Sequence, residues 1–473
     1  MKMKFVIVKL IRKPAALSHS QDFTSFQLLT VIYLAWQSLN KDIVLFNSKY
    51  FGEPECFSIK HILKVISLRS VLHRFILIVS VNLCSCKTQD KSLISTSINP
   101  VGKESDAALV APVIDTKPLP TYDYDQLDFS MNNGIARTPK GRIWSCWVAG
   151  GDDDNAFFVL NYSNDNGESW SKPSVVIDPH DTSLEDKRRS VVGNLWTDPQ
   201  GHLWLLFDQS LTYYDGRSGT WYTRCDNPDS DTPIWSKPVR IWHGCSLNKP
   251  NVFSNNTWLV TISLWNRGLI TLKYKQQFRE LDAFRMANVI VSSDQGKTWI
   301  RQGGVLFPGS EYDEHHIIER RDGTLWMTAR TINGIWESVS SDKGITWSKP
   351  VKYQEHVNSR HFIRRLQSGR ILLVRHGAIN ELTSLRTKLT AYLSEDDGKS
   401  WIGGLLLDDR SVVSYPDGFQ SSDGTIYISY DRNRNRDAEI LLARFTEEDI
   451  LLKKFAGQNS KARILISKAL KNK

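Results

Sequence analysis

The sequence predicts an all-β chain built as a ring of repeated units, a six-bladed β-propeller, and three observations lead there. The first is a motif, Ser-x-Asp-x-Gly-x-Ser/Thr-Trp, present as Ser163–Trp170, Ser292–Trp299, Ser340–Trp347 and Ser394–Trp401, with a degenerate, stretched copy from Cys225 to Trp235. The second is its spacing: self-similarity at roughly 50–65 residues signals a propeller or another repeat array. The third is a different hairpin that occurs six times, at Lys140-Gly141, Gln200-Gly201, Asn256-Thr257, Asp322-Gly323, Ser368-Gly369 and Asp423-Gly424, each followed by an alternating, strand-like run. The first five are each followed by one copy of the motif, so the units read as four-stranded blades.

Each residue type in the motif suits a tight turn. The Asp carboxylate can accept from backbone N–H groups ahead of it, the Gly can take positive φ, and the Trp can plug the space under the turn. Ser-Lys-Pro follows the Trp at 171–173, 236–238 and 348–350.

Taken in order, residues 1–70 give no clear fold signal, and apolar runs such as Leu28 to Trp36 are too short to span a bilayer. From Arg69 to Cys86, basic residues precede the apolar run Phe75 to Val81 and the small-residue site Leu83-Cys84-Ser85-Cys86, the layout of a secretion signal. It resembles a bacterial lipoprotein signal with Cys86 as the lipidated residue, which implies export to the cell envelope or periplasm; a buried helix or strand is the alternative. No Met stands between Met3 and Met131, so this reading requires a non-Met start near residue 65. Residues 1–104 are thus expected to be a poorly structured extension ending in a polar tether, and 105–456 the propeller. A strand near Ala107 to Thr116 is expected to close the last blade. Thr446 is placed to cap a short helix reaching Lys454. The tail, 457–473, reads as a basic, solvated end or a weakly amphipathic helix.

The net charge of +9 is concentrated at the ends. Residues 1–90 hold 12 basic and 5 acidic residues, 457–473 hold 5 basic and none acidic, and the body between them is slightly acidic. A nucleic-acid partner is therefore not indicated. The six Cys form no disulfide framework and no zinc-ligand spacing. Adjacent His315 and His316 would point to opposite faces of a strand, so no metal site is expected, and no cofactor is implied. The 16 Trp suit hairpins and carbohydrate-stacking faces.

The repeated motif resembles the Asp-box of the bacterial exo-sialidase (neuraminidase) family, over about residues 105–450. In that family the boxes are peripheral and structural, and the resemblance implies a sialidase-like propeller with its site at one end of the channel. Glu314 and Arg330 match the family's base and a carboxylate-gripping Arg in the stretch Glu314 to Arg330. Tyr415, in Ser414-Tyr415-Pro416-Asp417-Gly418, matches the nucleophile. Arg386, eight residues before Ser394, matches a second gripping Arg, and Asp152, first of three consecutive Asp residues, matches the general acid.

The implied chemistry is coherent. A sialic acid carries a carboxylate on its anomeric carbon, which would repel a carboxylate nucleophile; a neutral Tyr that hands its proton to a Glu avoids the repulsion. Guanidinium groups grip both oxygens of a carboxylate. One position departs from the family pattern: Met131 stands where the first clamp Arg is expected, and Arg137 lies too far along the strand to replace it. The clamp is reduced to two unless Arg360, a third binding candidate, or Arg375 moves in. The expected function is an exo-acting, retaining glycoside hydrolase for a terminal acidic sugar of a glycan, working as a monomer and touching membrane only through a lipid. A non-catalytic glycan- or protein-binding propeller, or an enzyme such as a lyase for another acidic sugar, is the alternative.

Overall fold

The computed structural model describes residues 104–471. The proposed signal and Cys86 lie outside the described residues. The rest is all-β and forms the expected six-bladed propeller, with every blade a contiguous stretch of chain. Blade one holds β1 (Met131–Arg137), β2 (Ile143–Ala149), β3 (Phe157–Ser163) and β4 (Val175–Ile177). Blade two holds β5 (Arg188–Arg189), β6 (Gly193–Thr197), β7 (Leu203–Leu211), β8 (Gly219–Cys225) and β9 (Val239–Trp242). Blade three is β10 (Asn251–Val252), β11 (Trp258–Ser263), β12 (Ala287–Ser292) and β13 (Ile300–Val305). Blade four is β14 (His316–Glu319), β15 (Leu325–Thr331), β16 (Gly334–Ser340) and β17 (Val351–Gln354). Blade five is β18 (Phe362–Arg365), β19 (Ile371–His376), β20 (Leu389–Ser394) and β21 (Ile402–Asp408). Blade six is β22 (Val413–Gln420), β23 (Ile426–Arg432), β24 (Glu439–Phe445) and β25 (Lys461–Lys468).

The six hairpins join each innermost strand to the second strand of its blade, and the Asp-boxes join the third to the fourth in blades one to five. Within a box the Ser oxygen bridges the turn: Ser163 Oγ donates to Asp165 Oδ1 at 2.7 Å and accepts from the Gly167 N–H at 2.9 Å. Asp165 Oδ1 also accepts from the Ser169 N–H at 2.9 Å. The same bonds recur around Asp294, Asp342 and Asp396. The residue before each Gly is already left-handed, and the Gly continues at φ 82–91°, which is why that position is Gly in all four copies. Blade six has no box. There Thr446 caps α1 (Glu447–Leu452), and Asp449 accepts from the backbone of Ala456 and Gly457 and from Ser460 Oγ, holding the turn as a box Asp would.

Two expectations are corrected. The tail is not a solvated end or helix, since Lys461–Lys468 is the outer strand of blade six. Its Ile464 and Ile466 are buried while Lys461, Arg463 and Leu465 face solvent, a period-two pattern that the basic residues obscured. Nor does an N-terminal strand complete the last blade. Among the described residues that segment pairs through an isolated bridge from Asp115 to Val176 of blade one. Further along, Tyr124 and Leu127 pack against Ile464, Ile466 and Ala469, and their carbonyls accept from the Leu470 and Lys471 N–H groups at 2.7 and 2.9 Å.

The ring closes where β1 lies against β22. Asp417 Oδ2 accepts from the Ile135 N–H at 3.1 Å, Asp431 Oδ2 from the Asn132 N–H at 3.1 Å, and the Tyr415 carbonyl from Asn132 Nδ2 at 2.8 Å. Gly134 sits at this seam, where a Cβ would fall 2.1 Å from Asn194 Oδ1. All innermost strands run in one direction, so their first residues gather at one mouth of the channel and their last at the other.

Candidate active site

At the first of these mouths lies a cavity of about 210 Å³ whose lining includes Met131, Asp152, Glu314, Arg330, Arg386, Tyr415 and Arg434. Glu314 stands directly before His315 and two residues before the start of β14. Its N–H donates to the Tyr312 carbonyl at 2.6 Å across Asp313, and both Asp313 and Glu314 have positive φ, 56° and 43°. A three-residue turn with a left-handed centre is strained and persists only where the surroundings fix it. Here Asp313 accepts from Ser263 and Ser310, its carbonyl accepts from the Arg330 N–H at 2.8 Å, and Asn248 Nδ2 donates to the carbonyls of Glu314 and His315 at 2.9 Å each.

Tyr415 is also left-handed, at φ 53°, and lies in an irregularity of the β22–β23 ladder between Ser414 and Asp417. Pro416 has no N–H for the ladder, and a bulge of this kind re-aims a side chain. The result is a hydrogen bond from Tyr415 Oη to Glu314 Oε1 of 2.7 Å, between residues 101 apart in the chain. Arg330, near the end of β15, donates through Nη1 to the same Glu314 oxygen at 2.8 Å and to Tyr415 Oη at 3.3 Å. Glu314 Oε2 is buried and has no hydrogen-bond partner among the described residues. Burial opposes the Glu314 charge, but the Arg330 guanidinium outweighs it and holds the carboxyl below its ordinary pKa. Burial, reinforced by the Glu314 charge, pushes Tyr415 up to about 12. The pair is thus a protonated phenol donating to an ionised carboxylate.

Arg386 comes from the loop between β19 and β20. Among the described residues it has no ion-pair partner; its Nη2 donates to the Asn358 carbonyl at 2.9 Å, while Asn358 Oδ1 accepts from Arg330 Nε at 2.6 Å. One residue therefore holds both guanidinium groups. Arg330 is paired in this state, to Glu314, so of the two expected gripping arginines only Arg386 is free of a carboxylate. Asp152 lines the cavity and accepts from Arg434 Nη1 at 3.0 Å, whereas Asp153 and Asp154 do not line it.

Arg360 is a correction. It is fully buried below the cavity, outside its lining, and is bonded to Asn248 Oδ1, the carbonyls of Asn133 and Leu247, and Asp417 Oδ1. A guanidinium so engaged holds the channel together and has no face for a ligand. Arg375 is likewise buried, on Gln354 and the carbonyls of Glu355, His376 and Glu381. Beside Tyr415, the aromatic wall is Tyr213, Trp265 and Tyr312.

The residue that sequence reasoning missed is Arg434, in the β23–β24 hairpin. Its guanidinium lies 4.2 Å from the Tyr415 ring centroid and also pairs with Asp431 at 3.2 Å. The run Asp431-Arg432-Asn433-Arg434-Asn435-Arg436 was the available signal, but alternating charge on a hairpin reads as a solvated turn. Among the described residues no group of three or more His, Cys, Asp or Glu side chains is arranged to hold a metal, and no helix is long and apolar enough to cross a membrane.

Residues 141–428 match the family model described as a BNR repeat-like domain. A comparison with curated protein sequences gives no match. Among solved structures, the chain is similar to the Hadza microbial sialidase Hz136 (16% identity, 69% of this chain and 67% of that one, TM-score 0.53). It is also similar to the intramolecular trans-sialidase of Ruminococcus gnavus, solved with oseltamivir carboxylate (12% identity, 70% and 97%, TM-score 0.53). A third is the Trypanosoma rangeli sialidase, solved with sialic acid (15% identity, 69% and 56%, TM-score 0.51). The chain spans little more than half of that trypanosomal protein.

Proposed function

The chain belongs to the BNR repeat-like domain family and has the fold of the sialidases, and from that premise we propose that it is an exo-acting glycoside hydrolase that removes a terminal acidic sugar. The observation that supports this most directly is the buried 2.7 Å hydrogen bond from Tyr415 to Glu314 beneath an open cavity. No local structure brings these two residues together, and a binding module has no need of the pair. In the proposed reaction Tyr415 Oη attacks the anomeric carbon as Glu314 takes the phenolic proton, giving a tyrosyl-sugar intermediate. Asp152 protonates the departing glycosidic oxygen and then deprotonates the water that releases the sugar. Arg386, with Arg330, grips the substrate carboxylate.

Met131 favours a second reading of the substrate within the same chemistry. The lining there is apolar, and Arg434, the third guanidinium, is already neutralised by Asp152 and Asp431. A carboxylate held by two arginines in place of three fits an acidic sugar other than sialic acid as well as sialic acid itself. The test is release of free sugar from fluorogenic glycosides of sialic acid, related 2-keto-3-deoxy acids and uronic acids. Release of one of them by the wild-type protein, lost in Tyr415→Phe, supports the proposal. No release from any, or an undiminished Tyr415→Phe, overturns it.

Export with a lipid on Cys86 belongs to the same proposal. Fatty-acid labelling in a Gram-negative host should be abolished by Cys86→Ala.

A further inference from the structure

The opposite mouth of the channel holds a feature that the proposed hydrolysis does not use. The last residues of β1, β6, β18 and β22 surround a cavity of about 560 Å³, larger than the one beside Tyr415. Arg364 lies in its wall and is shared with an adjoining cavity of about 640 Å³. Among the described residues the hydrogen-bond partner of Arg364 is the Pro250 carbonyl, at 3.5 and 3.4 Å from its two terminal nitrogens, the outer limit of a hydrogen bond. Among the described residues no carboxylate is within ion-pair distance of it.

The charges behind Arg364 do not balance. Asp417 is the buried carboxylate of this part of the channel, and it is already taken: Oδ1 by Arg360 at 3.1 Å and Asn194 at 2.9 Å, Oδ2 by Lys249 and the Ile135 N–H. Arg360, Lys249 and Arg364 thus share one negative charge. Three other carboxylates lie at this mouth. Glu319, in the wall of the adjoining cavity, accepts from the Ser254 N–H and hydroxyl at 2.8 and 2.7 Å and offsets one positive charge there. Asp198 accepts from Trp204 Nε1 and His202 and from the backbone of Gln200, and Asp397 pairs with Arg365 at 2.8 Å. Arg137, also in the wall, bonds only to Tyr427 Oη and Asn166 Oδ1, both neutral. Burial, with the Arg364 charge contributing, brings Lys249 down to about 8 despite its contact with Asp417.

We propose that this second mouth binds a small oxyanion, the carboxylate or phosphate group of a solute, on the fork of Arg364, with Lys249 and Arg137 supplying the surrounding positive potential. A planar guanidinium with unused donors matches two oxygens of such a group. The low-dielectric channel walls strengthen the attraction, and added salt weakens it. The trigonal and tetrahedral sources differ in the probe that detects them, inorganic phosphate or free glucuronate, with glucose as the uncharged control.

Binding is measured by isothermal titration on the full chain at low salt. We expect saturable binding of phosphate or glucuronate, no binding of glucose, and weakening by about tenfold or more in Arg364→Gln; made in an Arg386→Ala background, which removes the carboxylate grip of the other mouth, Arg364→Gln should weaken the binding that remains by the same factor. If Arg364→Gln does not fold by circular dichroism, mass spectrometry of the wild type decides: a saturating anion should protect Arg364 from an arginine-selective dicarbonyl reagent. Absence of anion binding, binding unaltered in a folded Arg364→Gln, or no protection overturns the proposal. Since no hydrolysis is read, the result is independent of whether Tyr415 is a nucleophile.

Discussion

Asn358 illustrates how a site depends on a side chain with no chemistry of its own. Its amide oxygen orients Arg330 and its carbonyl orients Arg386. Asn358→Ala should therefore raise KM more than it lowers kcat, by about 1–3 kcal/mol in apparent affinity, measured on whichever glycoside the wild type cleaves; a larger fall in kcat would assign it a role in the chemical step. Tyr415→Phe should do the reverse, keeping affinity and the thermal transition while turnover falls about 10²-fold or more. The sequence singled out Arg360 two positions away, because an Arg near a family-like site is a stronger signal than an Asn. Only the three-dimensional placement separates an arginine aimed into a cavity from one consumed by Asp417. Glu314, Tyr415, Arg330, Arg386 and Asp152, which line one cavity, were singled out through the family resemblance, by their spacing from hairpins and boxes. Arg434 was not, since it belongs to a hairpin whose partner, Asp152, is 282 residues away.

At the scale of elements, what was legible was what is local. The four full Asp-boxes and the six hairpins are specified within a few residues by a tight turn and a glycine, or by left-handed Asn256 in the third hairpin, so they could be read directly. Completion of blade six depends on which strand covers the edge of β24; it is β25, the next in the chain, and the basic character of 461–468 pointed the wrong way. The buried half of that strand carries its stability: Ile466→Ala should cost about 2–5 kcal/mol in chemical denaturation, whereas Arg463→Ala, on the solvent side, should cost far less. A chain ended at Gly457 should expose β24 as an unpaired edge and self-associate in sedimentation experiments.

For the whole molecule, pH stability follows from five buried histidines, His315, His316, His356, His361 and His376. Burial drives all five down, to about 4 for His315 and about 3 for His361 and His376, from 6.5 in a free side chain. Between those limits the unfolded chain binds protons that the native ring refuses. Stability is therefore full above about pH 6.5 and falls as the pH drops below it, each histidine contributing up to about 1.4 kcal/mol per pH unit. Asp313, raised to about 6 by burial, and His180, raised by its bond to Asp178, work in the opposite direction, but they are two groups against the five, to which His243, brought down to about 3 by burial, adds a sixth. Urea midpoints should thus decline from pH 7 to pH 5, and a flat profile would show that these histidines are not neutral in the fold. The seam between β1 and β22 has a mechanical meaning as well. Among the described residues no strand crosses from the last blade into the first, so the ring resembles a bracelet whose clasp joins the bonds of Asp417, Asp431 and Asn132 to the packing of Tyr124 and Leu127 on Ile464, Ile466 and Ala469. Tyr415 is mounted on that clasp, and Glu314 two blades away. A slight parting of the clasp would draw the phenol off its carboxylate while every blade stayed folded, so warming should silence the protein before its β-sheet signal begins to fade.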